Sequence, residues 1–406
     1  MAGWPSRPLL RQARSWLTAA RNNQQEDVAN LCPLPTLWNA ALRRRLAQWP
    51  IPDVYQTTAQ ERLSAVVTAW QQDPDAPNSL VILSSPVEDT EALMESLMAG
   101  DWLGDLPQAV RVWRPMAWQV RPPNPLNLAE QFSKALAEIP SKTAQTDDDH
   151  PDPLSQRRRL VIMPPLEQCF LRCIGGWQGV EWLRDTVGQY PQYFWVIRCN
   201  TWAWTFLNRV CQVESYFSET LVLPSLDKAM LSDWLRPFAA DLQPESSTTE
   251  SGEAADAPLD EMEARGWSWS ELASLSRGQA VVAQYLWLRS LRLREEDVPE
   301  QPQPLDQAGP LPVPLQLLPA TLPSLPSLTA EDHYVLHALM LHGSMTRSHL
   351  AQSLGLAANL VEVNVQRLRQ AGVLRQTRQG ISLYPAYYPL VLAELKSNNF
   401  LTGEAK

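Results

Sequence analysis

The chain has 406 residues and 45.8 kDa, 45% of it hydrophobic and 19% charged, which excludes disorder throughout and allows two or three domains with a sizeable core. A net charge of −10 speaks against a chain that wraps a polyanion along its whole length. No apolar run approaches the ~18 residues of a membrane span, and the first 20 residues hold Arg7, Arg11 and Arg14 without the apolar stretch of a secretory signal, so a cytoplasmic protein with no integral membrane segment is expected.

Charge is unevenly spread. Residues 1–50 hold seven Arg against Glu26 and Asp27, and residues 329–406 hold seven basic against five acidic groups, so the excess acid lies between them. Five widely spread cysteines suit a reducing compartment, and Cys169 and Cys173, set among apolar residues, read as buried thiols. Most of the 17 Trp are expected in cores or at interfaces.

In chain order, residues 1–75 form a helical region. A basic amphipathic helix over 4–21 packs on its own protein or lies on a membrane surface. Helices over 36–49 and 58–72 are separated by Pro50 and Pro52. Residues 76–241 then alternate. Strands are expected at 79–84 (SLVILS), 109–114 (AVRVWR), 160–163 (LVIM), 193–199 (YFWVIRC) and 219–223 (ETLVL). Helices fall at 87–98, 126–139, 176–187, 201–210 and 226–235, with a polar loop at 142–158. Short, continuously apolar strands separated by helices predict an α/β domain with a mainly parallel five-stranded sheet.

Residues 242–266 are an acidic insertion, expected to be disordered. Helices at 267–275 and 279–293 follow, within a helical region at 267–294. Residues 295–328 hold so many prolines that an extended, semi-rigid linker joining mobile modules is expected. The last module, 329–395, reads as helices at 330–342, 346–354 and 358–371, then a hairpin turning at Gly380.

The segment ILSSPVEDTEALMESLM at 82–98 resembles the P-loop of AAA+ and STAND nucleotide-binding domains. In that register Ser85 and Thr90 stand at the glycine positions, Glu91 at the lysine position and Ala92 at the Ser/Thr position. A working loop needs glycine for close backbone approach, lysine for the β/γ charge and a hydroxyl for Mg²⁺. Here an anion replaces the cation, with Glu88 and Asp89 beside it as ordinary first-turn acids. No lysine follows a glycine anywhere in the chain, so no other Walker A motif exists. The strand RRLVIM ends in Pro164-Pro165 rather than in Asp, and Glu167 reads as a surface or capping residue rather than a displaced metal carboxylate. Asn200, at the end of the fourth strand, stands at the sensor-1 position of the resembled fold but reads first as a helix N-cap. Arg277 lies near the sensor-2 position.

The resemblance implies a five-stranded P-loop NTPase-type sheet, a helical lid over 267–294 and a C-terminal winged helix-turn-helix. In a winged helix the third helix enters the major groove. Asn359, Asn364 and Gln366 would then meet base edges beside Arg367 and Arg369, and Arg375 and Arg378 would meet phosphates from the wing. Winged helices attached to such domains also serve as protein-protein modules.

No catalytic residue, metal site or cofactor is expected. His333 and His337, at i and i+4, read as polar helix residues. The leading reading is a non-catalytic regulatory or scaffold protein that binds partners through Trp-rich surfaces, among them WNAALRRRLAQW (38–49) and YPAYYPLVLAELKSNNF (384–400). The alternatives are a DNA-binding regulator using the winged helix, and a weak ATPase holding ATP through Ser84, Ser85 and Thr90. The sequence leaves partner identity and oligomeric state open.

Overall fold

The computed structural model describes residues 30–114, 121–122, 124, 127–138, 153–242, 267–305 and 309–403. The helix expected over 4–21, most of the polar loop at 142–158 and nearly all of the acidic insertion lie outside the described residues.

Among the described residues the first elements are β1 (Leu31–Pro33), α1 (Thr36–Ala47) and α2 (Asp53–Gln72), with Pro35 and Pro52 just before the two helices. The α/β part follows: β2 (Ser79–Ser84), α3 (Thr90–Ala99), β3 (Arg111–Trp113), α4 (Leu128–Ala137), β4 (Arg159–Ile162), α5 (Gln178–Gln189), β5 (Tyr193–Asn200), α6 (Thr201–Cys211) and β6 (Thr220–Val222). Next come α7 (Lys228–Asp241), α8 (Trp269–Ser276), α9 (Ala280–Ser290), β7 (Leu291–Arg294) and β8 (Gln316–Leu317). The chain closes with α10 (Ala330–His342), β9 (Ser344–Met345), α11 (Arg347–Leu354), α12 (Ala358–Gln370), β10 (Leu374–Thr377), β11 (Gly380–Leu383) and α13 (Tyr388–Ser397).

These elements form two compact units. The first holds residues 30–50, 232–242, 267–272, 286–305 and 309–321 among those described. Its antiparallel sheet has the order β1-β7-β8, and Trp49, Phe238 and Trp287 pack edge to face within it. Three expectations change here. Residues 291–294 (LRLR) are a strand rather than the end of a helix, because Leu291 and Leu293 are buried while Arg292 and Arg294 point away, a period of two. The proline-rich stretch is also no free linker at this point, since Leu311, Leu315, Leu317 and Ala320 are buried and β8 pairs with β7. Leucines set between prolines supply a packed edge without needing a helix. The segment at 38–49 turns inward too, burying Trp38, Ala41, Leu42 and Leu46 as core rather than as a partner surface.

The second unit holds residues 51–231, 273–285 and 322–403 among those described, and contains a five-stranded parallel sheet. Its order is β3-β4-β5-β2-β6. From the β6 edge the strands run fifth, first, fourth, third, second, the order of an AAA+-type P-loop NTPase domain. Every residue of β2 and all but the first of β5 are buried, as sequential parallel strands covered on both faces require. Trp195, Ile197, Phe170, Phe132 and Leu183 form the centre of one core face. Such sheets bind ligands outside the carboxyl ends of their strands, so Ser84, Ile162 and Asn200 mark the end where a site belongs.

The C-terminal segment belongs to this same unit. A capping box between Thr329 and Asp332 starts α10, the Thr346 side chain caps α11, and Gly355, at φ +65°, ends it. The three expected helices and the hairpin are present, and β9 adds a third strand in the order β10-β11-β9. Residues 384–400, expected to offer a partner surface, bury Tyr388, Val391, Leu392 and Leu395 instead.

Candidate functional site

At the carboxyl end of β2 the chain turns through residues 85–89 and enters α3. Asp89 caps that helix, its Oδ1 accepting from Glu91 N at 3.1 Å and Ala92 N at 3.2 Å. These are the amide groups that an anion at a helix N-terminus would use. Glu88 turns the other way. Its Oε1 accepts from Val281 N at 3.4 Å in the first turn of α9, and Tyr55 hydrogen-bonds to it. Burial, with Asp89 nearby, pushes the Glu88 carboxyl up to about 7. Two helix N-termini at one end of the sheet are thus occupied by carboxylates of the turn itself.

Glu91, at the position of the P-loop lysine, is not an idle first-turn acid. Arg114 Nη1 lies 2.9 Å from its Oε1 and Arg198 Nη1 2.6 Å from its Oε2. The Arg198 side chain, on β5, is only 5% exposed, so Glu91 neutralises a nearly buried cation. Sequence reasoning saw the acids but not these partners, which arrive from β5 and from just beyond β3.

Asn200 serves both roles open to it as a cap and a strand-end polar group. Its Oδ1 accepts from Ala203 N at 2.8 Å, capping α6, and its Nδ2 donates to Leu341 O at 3.1 Å. The backbone N–H of Asn200 donates to Glu167 Oε2 at 3.1 Å. Glu167 is therefore no surface residue. It is half-buried at the end of the sheet, and its carboxyl is raised by burial against the opposing pull of hydrogen bonds and of the Arg198 and Arg121 charges. A carboxylate does stand near the Walker B location, displaced beyond the Pro164-Pro165 pair.

Arg121, unremarked in the sequence, ties this edge to α10. It is 4% exposed and donates to Phe170 O at 2.7 Å, Glu167 O at 2.5 Å and His342 O at 3.3 Å. Burial lowers its guanidinium to about 10, which leaves it charged at neutral pH. His342 is held neutral by burial and by the Arg121 charge, and accepts from Arg172 N at 3.4 Å. The buried thiols of Cys169 and Cys199 are pushed up, in keeping with inert core groups.

A cavity of about 230 Å³ lies beside the turn, lined by Ser84, Ser85, Glu88, Thr201 and Arg277 and, from the far end of the chain, by Tyr388, Leu392 and Gly403. Ser84 Oγ donates to Ser85 O at 3.2 Å, and Ser85 Oγ has no hydrogen-bond partner among the described residues. Of the predicted nucleotide-site residues, Ser84 and Ser85 line this cavity. Thr90 and Glu91 do not, and Asn200 stands just before its Thr201 wall.

The predicted DNA-contact residues are scattered in role. Arg367 pairs with the buried carboxylate of Asp332 and donates to Thr329 Oγ1 at 3.0 Å. Arg375 lies over the Tyr285 ring, hydrogen-bonds to its hydroxyl, and donates from Nε to Ser382 Oγ at 3.2 Å. Gln366 donates to Glu362, which also pairs with Arg347. Asn359 and Arg378 are exposed, and Asn364 and Arg369 half-buried. The outward face of α12 also carries Leu360 and Val363, 52% and 64% exposed. His333 meets Glu394 at 2.9 Å rather than sharing a ligand with His337, and among the described residues no group of metal-ligating side chains gathers. Nor is any described helix long and apolar enough to cross a membrane.

No family model matches the chain, and no curated protein matches it. Among solved structures it is similar to the Aeropyrum pernix ORC2 protein in ADPNP-ADP complexes, at TM-score 0.34 and 12% identity over 84% of this chain and 93% of that one. It is similar to Cdc6p of Pyrobaculum aerophilum at TM-score 0.31 and 12% identity, over 84% and 94%. It is also similar to a chain of the E. coli MS115-1 HORMA:CdnC:Trip13 complex, at TM-score 0.32 and 11% identity over 58% and 76%. Likenesses this distant carry no functional argument, and the AAA+-type fold rests on the order and direction of the chain's own strands.

Proposed function

We propose that the chain is a non-catalytic regulatory or scaffold protein, built on an AAA+-type domain without nucleotide chemistry, that acts through protein partners. One observation carries the proposal: the carboxylates of Asp89 and Glu88 occupy the N-termini of α3 and α9, where phosphate would otherwise be received. A triphosphate entering there would displace two internal anion contacts and meet Glu91 in place of a lysine. The half-buried Glu167 is committed to the backbone of Asn200, whose side chain is in turn committed to α10.

The same reasoning favours protein over DNA as the partner of the winged-helix-like module. Two of its four arginines in 363–389, Arg367 and Arg375, are engaged internally, and the exposed face of α12 is apolar at Leu360 and Val363. A duplex groove rewards donors and cations on that face, whereas a protein surface rewards aliphatic area. The test is purification of the tagged full chain, wild type and Leu360→Glu/Val363→Glu, after nuclease treatment. The expected result is a stoichiometric protein partner that survives nuclease and is lost in the folded double variant. A nuclease-sensitive nucleic acid as the sole stoichiometric companion would support the DNA reading and reject this one.

A further inference from the structure

Residues 398–403, which follow α13, are held against the fold. Asn399 adopts a left-handed conformation at φ +60°, with Asn399 N donating to Lys396 O and Phe400 N donating to Leu395 O at 2.9 Å. This is a helix-terminating motif that reverses the chain. The reversed segment is then anchored. The Phe400 ring packs against Tyr334 at 5.4 Å and His337 at 5.1 Å, and His337 Nε2 hydrogen-bonds to Leu401 O at 3.1 Å. His337 faces Arg172 through its other nitrogen, and burial and that charge lower it to about 4, so it meets Leu401 as a neutral donor.

The anchored segment ends on the cavity. Gly403 lines it, and a Cβ at that position would lie 2.5 Å from Thr201 Oγ1, 2.6 Å from Trp202 N and 2.7 Å from Trp202 Cδ1. The backbone therefore lies flat against the first turn of α6, and only glycine fits there without a shift. The same cavity is lined by Ser84 at the end of β2 and by Ser85 and Glu88 of the turn after it.

We propose that residues 398–403 are an intramolecular lid over one side of the hydroxyl-lined cavity at the end of the sheet, and that it controls entry to that cavity. Two features make the device reversible. Among the described residues beyond Phe400, the lid is held by the close backbone approach of Gly403 and by the hydrogen bond to Leu401 O. Its hinge, at Asn398–Asn399, lies outside the helix that holds the core, so lifting it leaves α13 in place.

The test uses the full chain carrying Thr201→Cys, which places a thiol under Gly403, with alkylation by iodoacetamide followed peptide by peptide. The comparison variants are Gly403→Val and a chain ending at Phe400, which keeps the ring anchor and the reversed turn. Labelling at position 201 is expected to rise roughly tenfold or more in both variants, as removal of a local closed state requires, while labelling of buried Cys169 and Cys199 stays unchanged. Equal labelling at 201 with and without the terminal residues would overturn the proposal. So would a parallel rise at Cys169 and Cys199, which would mean loss of the fold rather than of a lid.

Discussion

Glu88 shows how much of this site is decided by single side chains. Its carboxyl is raised to about 7 from an ordinary 4.5, so between those values the unfolded chain ionises while the folded one holds its proton. Folding stability from this group is therefore fully present below about 4.5, falls as pH rises towards 7, and is level above that. Glu88→Gln removes the titration. Relative to wild type, the variant should gain stability across that window by up to about 3 kcal/mol, less whatever solvent screening of a half-buried group removes. Urea denaturation of both proteins at pH 4.5 to 8 measures the difference, and a flat difference would contradict the assignment. The acids of this turn were readable in the sequence. Their partners were not, because Arg114, Arg198 and Val281 are brought in by separate elements, and nothing local to residues 85–91 encodes that meeting.

Among elements, those with a strong local signal were foreseen and those without one were missed. The apolar runs of β2, β4 and β5 and the cap Asn200 follow from propensity and side-chain chemistry. By contrast β1, β8 and β9 have two or three residues each and exist only through pairing, as Leu31 does with Arg294. Helix α7 also continues through Pro237 to Asp241, past the expected end at residue 235. The hairpin of β10 and β11 depends on Gly380, at φ +128°, where a Cβ would lie 2.6 Å from Met345 O. Gly380→Ala combines a disfavoured backbone with a clash against β9, and should cost on the order of 2 kcal/mol or more. Thermal unfolding followed by circular dichroism reads this directly, and an unchanged midpoint would show that the hairpin relaxes freely.

At the scale of the whole molecule, the strand order is that of an AAA+-type domain, and the turn at its carboxyl end is held by contacts within the chain. Asp89 and Glu88 satisfy helix N-termini, Arg198 and Arg114 satisfy Glu91, and Arg121 joins the sheet edge to α10. Each of these contacts is locally consistent with the fold. The C-terminal module was expected on a mobile linker, yet it shares a compact unit with the sheet, and this too was hidden from the sequence because Arg121, Arg172, His337 and His342 are far apart along it. The most direct measurement is titration calorimetry of Mg-ATP into the full chain. No saturable heat should be seen up to millimolar nucleotide, whereas saturable binding at micromolar concentration that is lost on removal of Mg²⁺ would contradict the account.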